Sequence, residues 1–218
     1  MPKVKLGPQT AVYPMPALLI GADVDGKANF MTAAWAGIVC SQPPTLGVSF
    51  QKNRHTLKGL RQTGTFSANV PREDQIREAD YCGIAGGRRV DKAGVCGFNV
   101  FYGVLENAPL IAECPLNLEC RVTREIHLGS HYLVLGEIVE THVSEACLTD
   151  GQPDVTKIKP LCYAEGGHDS YHGVGPELGV AFKVGKALAR KWGRTFTSSP
   201  NSAPTCHTAR TSVSDRGE

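Results

Sequence analysis

Two long segments near the middle of the chain, LNLECRVTREIHLG (116–129) and SHYLVLGEIVETHVS (130–144), meet at the short joint HLGSH. Leu118, Cys120 and Val122 alternate with polar and charged residues on the first. Leu133, Val134, Leu135, Ile138 and Val139 populate the second. Strand-period runs with so short a connection pair with each other, so the stretch reads as an antiparallel hairpin. A hairpin of this length sets the class of the whole chain as antiparallel β.

The flanking sequence carries the same signal. In VYPMPALLIGADVDGKANFMTAA (12–34) an apolar strand reaches Asp25-Gly26, a strong hairpin turn, and a second run follows. TLGVSF (45–50) is a strand opened by Pro43-Pro44, and TFSANVP (65–71) another, with Phe66, Ala68 and Val70 alternating. Between them NRHTLKGLRQTG (53–64) reads as a short helix, with Asn53 or Thr56 as its cap, Leu57 and Leu60 on one face and Gly64 as its stop. REDQIREADYCG (72–83) reads as a second helix, acidic near its start, and the Gly-rich stretch 83–110 as a long, partly irregular excursion. The sum is a mainly β fold with short helices, a small closed or half-closed antiparallel barrel with helical decoration. Beyond about residue 188 the sequence turns Ser/Thr/Pro-rich and loses its hydrophobic period, so residues 189–218 read as a disordered tail.

Composition excludes several functions. The chain has 218 residues, with 23 Lys and Arg against 21 Asp and Glu, which lacks the basic excess of a nucleic-acid binder. Its eight Cys form no CxxC pair and no zinc-site spacing. The opening MPKVKLGPQ lacks the apolar core of a secretory signal, and no run approaches the ~18 apolar residues of a membrane span. The expectation is a cytoplasmic protein that binds neither nucleic acid nor membrane, with most Cys acting as small buried hydrophobes.

Few motifs carry chemistry of their own. SFQKNRHTLKGLR places Lys52, Arg54, His55 and Thr56 between a strand end and a helix start, where unpaired N–H groups attract phosphate. Those residues suit a monophosphate cradle, or equally a solvated basic turn with Thr56 as a plain cap. The loop CGIAGGRRVDKAG matches neither phosphate-loop pattern; it is a surface loop, or one whose backbone approaches a ligand with Lys92 adding charge. His127 and His131 straddle the hairpin joint, and His168 and His172 lie in a loop, so neither pair shares a helical face and no metal site is expected. There is no GxSxG and no evident carboxylate pair. A chain without its own nucleophile, acid or base takes its chemistry from a cofactor. In KANFMTAAWAGIVCSQPP (27–44), Trp35 stands among small residues. It is either core filler or one wall for something large and flat.

Taken in order through about residues 10–186, NFMTAAW with QPP, SFQKNRHT, GTFSANVP, DYCGIAGGRRVDK, PLNLEC, GSHYLVLGEI, and KPLCY with YHGVG resemble the flavin reductase-like FMN-binding split-barrel family, its flavoredoxin branch in particular. The resemblance implies a six-stranded antiparallel split β-barrel of Greek-key type over residues 1–188, usually a homodimer, with FMN rather than FAD near the subunit interface. It implies that Asn29, Met31, Thr32 and Trp35 border the flavin and its ribityl chain. Thr56, with Lys52, Arg54 and His55, would serve the phosphate, and Lys92 would add a polar contact. His131 would lie by the isoalloxazine face where nicotinamide enters, orienting or shielding it as the catalytic residue. Tyr163, beside Ala164, would replace a larger aromatic. The implied function is an FMN-dependent oxidoreductase, either an NAD(P)H:flavin reductase or a flavoredoxin-like electron carrier fed by a redox partner protein. The contrasting expectation is a non-enzymatic barrel that binds another flat cofactor such as haem, or a partner protein.

Overall fold

After a two-residue strand β1 (Met15–Pro16), the chain runs up β2 (Leu18–Val24), turns at Asp25-Gly26 and returns along β3 (Lys27–Ala33), with Val24 opposite Lys27. The computed structural model describes residues 1–191. From β3 two residues, Ala34 and Trp35, lead into β4 (Ala36–Ser41), which pairs with β5 (Pro44–Gln51). Helix α1 (His55–Thr63) follows, ended by Gly64 in the left-handed conformation, and then β6 (Thr65–Val70). The excursion holds helices α2 (Ile76–Ile84) and α3 (Lys92–Cys96) and a small ribbon of β7 (Val100–Phe101) and β8 (Leu110–Ile111). The long hairpin is β9 (Leu116–Leu128) and β10 (His131–Val143), with His131 opposite Leu128. Short elements complete the chain: β11 (Leu148–Thr149), β12 (Gln152–Pro153), α4 (Val155–Ile158), β13 (Cys162–Ala164), β14 (Ser170–His172) and α5 (Lys186–Lys191). One compact unit spans Met1–Gly175 and a second begins at Pro176. Apart from 189–191, the tail expected over 189–218 lies outside the described residues.

The main sheet has the order β3-β2-β6-β9-β10-β5-β4, and every neighbouring pair is antiparallel. It has seven strands rather than the expected six, because the chain breaks at Ala34–Trp35 and makes β3 and β4 separate strands on opposite edges. That break also forces the shape. Six inter-strand steps would put the edges of a flat sheet roughly 29 Å apart, whereas the three peptide units from Ala33 to Ala36 reach at most about 11 Å. The sheet must curl until its edges nearly meet, which is a barrel left open at one seam. Trp35 sits at that seam, where its carbonyl accepts from the Ser49 N–H at 2.9 Å.

The strand period explains what fills it. Leu18 and Ile20 of β2 join Met31, Phe50, Phe66 and Val134 in the barrel core, while Leu19, pointing the other way, joins Phe30, Cys82 and Ile111. Both faces of β2 are therefore covered, and all seven of its residues are buried. Leu57 and Leu60 of α1 enter the barrel core, each burial contributing about 1.5–3 kcal/mol. The small sheet β1-β13-β14 brings Ala17, Leu161, Tyr163 and Tyr171 against Ala79 of α2.

Helix α1 can lie this close to β2 only through Gly59, where an added Cβ would stand 2.3 Å from the Asp23 carbonyl oxygen. Backbone cannot swing aside as a side chain can. Gly59→Ala should therefore lower stability by about 1–3 kcal/mol, despite a helix-propensity gain of about 1 kcal/mol. Thermal unfolding followed by circular dichroism should show a lower Tm, and an unchanged or higher Tm would contradict the close packing.

Candidate functional site

Two neighbouring cavities follow β3 and the start of α1. The first, of about 450 Å³, is lined by Met31, Thr32, Trp35, Arg54, His131 and Tyr163, with Ser49, Gln51, Gly83 and Tyr171 among their neighbours. The second, of about 650 Å³, is lined by Lys27, Asn29, His55, Gly87, Arg88 and Arg89, with Asp25 and Asp91 at its margin. Both lie in the range of small-molecule sites.

Trp35 is not core filler. It is 37% exposed, and its ring lies 4.8 Å from that of His131 with 34° between the planes. Its indole N–H donates to Glu165 at 3.0 Å, and Ser130 Oγ lies 2.8 Å from His131 Nδ1. The two rings, inclined to each other, make an aromatic wall with both held by neighbours. Tyr163 and Tyr171, also in the lining, lie 5.6 Å apart between centroids. Thr32 Oγ1 donates to the Ala79 carbonyl, and Arg54 Nη1 donates to the Gly83 carbonyl at 2.9 Å, so the floor ties β3 and α1 to α2.

The second cavity is cationic. Helix α1 begins after Arg54 without a side-chain cap, so the expected Asn53 or Thr56 cap is not formed and the helix presents its N-terminal dipole uncovered. Thr56 is buried and instead accepts from Asn29 Nδ2 at 2.7 Å. Among the described residues, His55 Nδ1 is buried with no hydrogen-bond partner. Burial, then the charges of Arg88 and Lys58, hold the His55 pKa below its ordinary value. Gly87 lets the loop lie against this corner, since a Cβ there would come within 2.2 Å of Asn29 Oδ1. An uncapped helix start, an unpaired ring nitrogen, two guanidinium groups and a glycine approach together suit an anionic group such as phosphate.

The sequence model described as a flavin reductase like domain matches residues 10–172, more than half of the chain. The chain belongs to the flavin reductase-like family. Its fold closely matches the X-ray structure of flavoredoxin from Methanosarcina acetivorans, with 42% identity and a TM-score of 0.82 over 86% of this chain and all of that one. Flavoredoxin of Desulfovibrio vulgaris (Miyazaki F) is 38% identical, with a TM-score of 0.79 over 84% of this chain and 99% of that one. Among curated relatives, the FMN reductase (NADH) RutF of Pseudomonas syringae pv. syringae is 28% identical over 115 residues, which cover 53% of this chain and 62% of that protein.

Of the residues expected at a flavin site, the first cavity gathers Met31, Thr32, Trp35, Arg54, His131 and Tyr163, and the second Asn29 and His55. Thr56 lies beneath Asn29. Lys52 is exposed and lines neither cavity. Lys92 also lines neither: it is 4% exposed, and its Nζ donates to the carbonyls of Phe30 at 2.9 Å and Cys82 at 2.8 Å. That ammonium staples α2 to β3, and its burial pulls its pKa down. Sequence reasoning missed Arg88 and Arg89, although GGRR shows them as a charge pair, and it missed Asp80, Glu165, Asp169 and Tyr171 of the first cavity.

Lys92→Met keeps the aliphatic stem but strands two buried carbonyls, a cost of about 1–3 kcal/mol. The flavin-free protein should show a lower Tm by thermal unfolding. An unchanged Tm would mean that Lys92 serves a ligand alone.

Proposed function

We propose that this chain is an FMN-binding flavoprotein oxidoreductase, acting as a flavin reductase or as a flavoredoxin-like electron carrier. The observation that carries the reading is the adjacency of an aromatic-lined cavity and a cationic one along a single strand and helix start. FMN has that same polarity, a planar ring system at one end and a phosphate at the other. His55, Arg88, Arg89 and the start of α1 would hold the phosphate; Trp35 and His131 would cover one face of the ring system; Arg54 and Asn29 lie between. Bound there, FMN would supply the reversible one- and two-electron chemistry that no side chain of the site provides. The residues bind, orient and exclude water, and His131 shields the ring without moving a proton. A reductase would admit the nicotinamide of NADH or NADPH to the first cavity, whereas a carrier would meet a redox partner protein there.

Two further features belong to the same proposal. A homodimer is supported by the edge strand β4, where Ile38 and Val39 stand 64% and 55% exposed side by side. A cytoplasmic setting is supported by the seven Cys of the described residues, all free thiols. Among the described residues no helix is long and apolar enough to cross a membrane.

Anaerobic mixing of the flavin-loaded protein with NADH or NADPH separates the two activities. Bleaching of the flavin band at about 450 nm identifies a reductase, and a band that persists identifies a carrier reduced by another protein. The site map has its own test in equilibrium titration. Trp35→Ala should raise the Kd for FMN roughly three- to ten-fold, the value of one lost aromatic contact. The double variant Arg88→Ala/Arg89→Ala should weaken FMN about ten-fold while leaving riboflavin, which lacks the phosphate, unchanged. Equal losses for FMN and riboflavin in the double variant would place the phosphate elsewhere.

A further inference from the structure

The loop that supplies the cationic cavity is bracketed by two cysteines. Between Cys82 of α2 and Cys96 of α3 run Gly83, which lines the aromatic cavity, and Gly87, Arg88 and Arg89, which line the cationic one. The two ends of this stretch meet. Lys92 and Cys96 stand four residues apart on α3 and so share a face, and the Lys92 ammonium on that face reaches the Cys82 carbonyl at 2.8 Å. Cys96 packs against the buried cluster of Leu19, Phe30, Cys82, Ile111 and Cys114. Its sulfur accepts a hydrogen bond from the Cys82 thiol. Cys82 is fully buried and Cys96 half-buried, so a small oxidant reaches Cys96 first. Burial raises the pKa of both thiols, that of Cys82 to about 12; the hydrogen bond from Cys82 opposes the rise at Cys96, and the Lys92 charge opposes it at both. The flavin chemistry proposed above uses neither sulfur.

We propose that Cys82 and Cys96 form a reversible thiol–disulfide pair that locks the loop carrying Gly87, Arg88 and Arg89 when the protein meets a peroxide. The peroxide O–O bond breaks at the Cys96 sulfur: one oxygen joins it as a sulfenic acid and the other leaves as water. The Cys82 sulfur then displaces that oxygen as a second water, and the S–S bond forms. The two thiols lose an electron pair and the peroxide gains it; a dithiol returns the pair by exchange. Disulfides of intracellular proteins are commonly transient and redox-sensing, which suits a pair of this kind. Closing the ring over residues 82–96 restricts the loop before phosphate arrives, so less freedom is lost on binding. The effect on FMN rests on the flavin site proposed above; the thiol pair itself does not.

Full-length, FMN-loaded protein is treated with hydrogen peroxide at neutral pH, its remaining thiols are alkylated, and cross-linked peptides are identified by mass spectrometry without reduction. A Cys82–Cys96 peptide that disappears with dithiothreitol is expected, together with a higher Tm. Release of FMN on dilution, followed by its fluorescence, should be about three- to ten-fold slower in the oxidised form. Cys96→Ser, and separately Cys96→Ala, should abolish the link and the Tm gain and leave release at the rate of the reduced parent with or without peroxide. Cys114→Ser should retain the link. Absence of a Cys82–Cys96 peptide, a Cys82–Cys114 peptide in its place, oxidation of Cys96 onward to sulfinic acid, or a link that leaves FMN release unchanged would each overturn the proposal. The flavin reading fails separately: a protein that takes up no FMN yet forms the reversible link and gains Tm keeps the thiol pair and removes the flavin from its loop.

Discussion

Two residues between opposite edges of a sheet decide the architecture. Because Ala34 and Trp35 are all that separates β3 from β4, the seven strands cannot lie open, and the barrel closes around Phe50, Phe66 and Val134. Closure leaves one seam without ladder hydrogen bonds, and a seam in a barrel wall is where a cavity can enter without opening the core. Trp35 lies at that seam with its carbonyl tied to β5 and its ring turned to the cavity. The exposed indole that looked out of place among small residues is thus a product of the closure itself.

The helices give the seam its chemistry. Helix α1 drives Leu57 and Leu60 into the barrel, and Gly59 allows it to touch β2, which fixes where its uncapped start points. The Lys92 ammonium then binds α2 to β3 from inside, bringing Gly83 and Asp80 to the rim. Burying an ammonium is costly unless its donors are used, and both carbonyls it reaches belong to elements that line the site. Charge is sorted by these contacts: cations gather along the Gly86–Arg89 loop and the start of α1, while carboxylates from α2 and the segment after β13 gather at the aromatic end. A ligand with an anionic tail and a planar head has one orientation that satisfies both.

Much of this was legible in the residues. Period-2 alternation and the turns at Asp25-Gly26 and Gly129-Ser130 gave both hairpins and the antiparallel class, because those signals are local. Trp35, His131 and Tyr163 were expected near the ring system and share a cavity, whereas Arg54, expected at the phosphate with His55, lines that same aromatic cavity instead of the one that holds His55. The seventh strand was not legible, since neither Gly nor Pro marks the break at Ala34–Trp35 and the run of small residues continues across it. Lys92 stood in a loop pattern that says nothing about which way its side chain points, and it turned inward. The carboxylate rim was hidden for a different reason: Asp80 and the pair Glu165 and Asp169 are far apart in sequence, and only the packing of β1, β13 and β14 against α2 brings them together.

The central claim is that the seam holds a phosphorylated flavin that supplies the chemistry the side chains lack. Denaturing the freshly purified protein and identifying the released chromophore by chromatography and mass spectrometry tests this most directly. The account expects a yellow protein that releases FMN, about one per chain. A protein that is colourless and stays so after incubation with FMN, or one that releases haem, would contradict it.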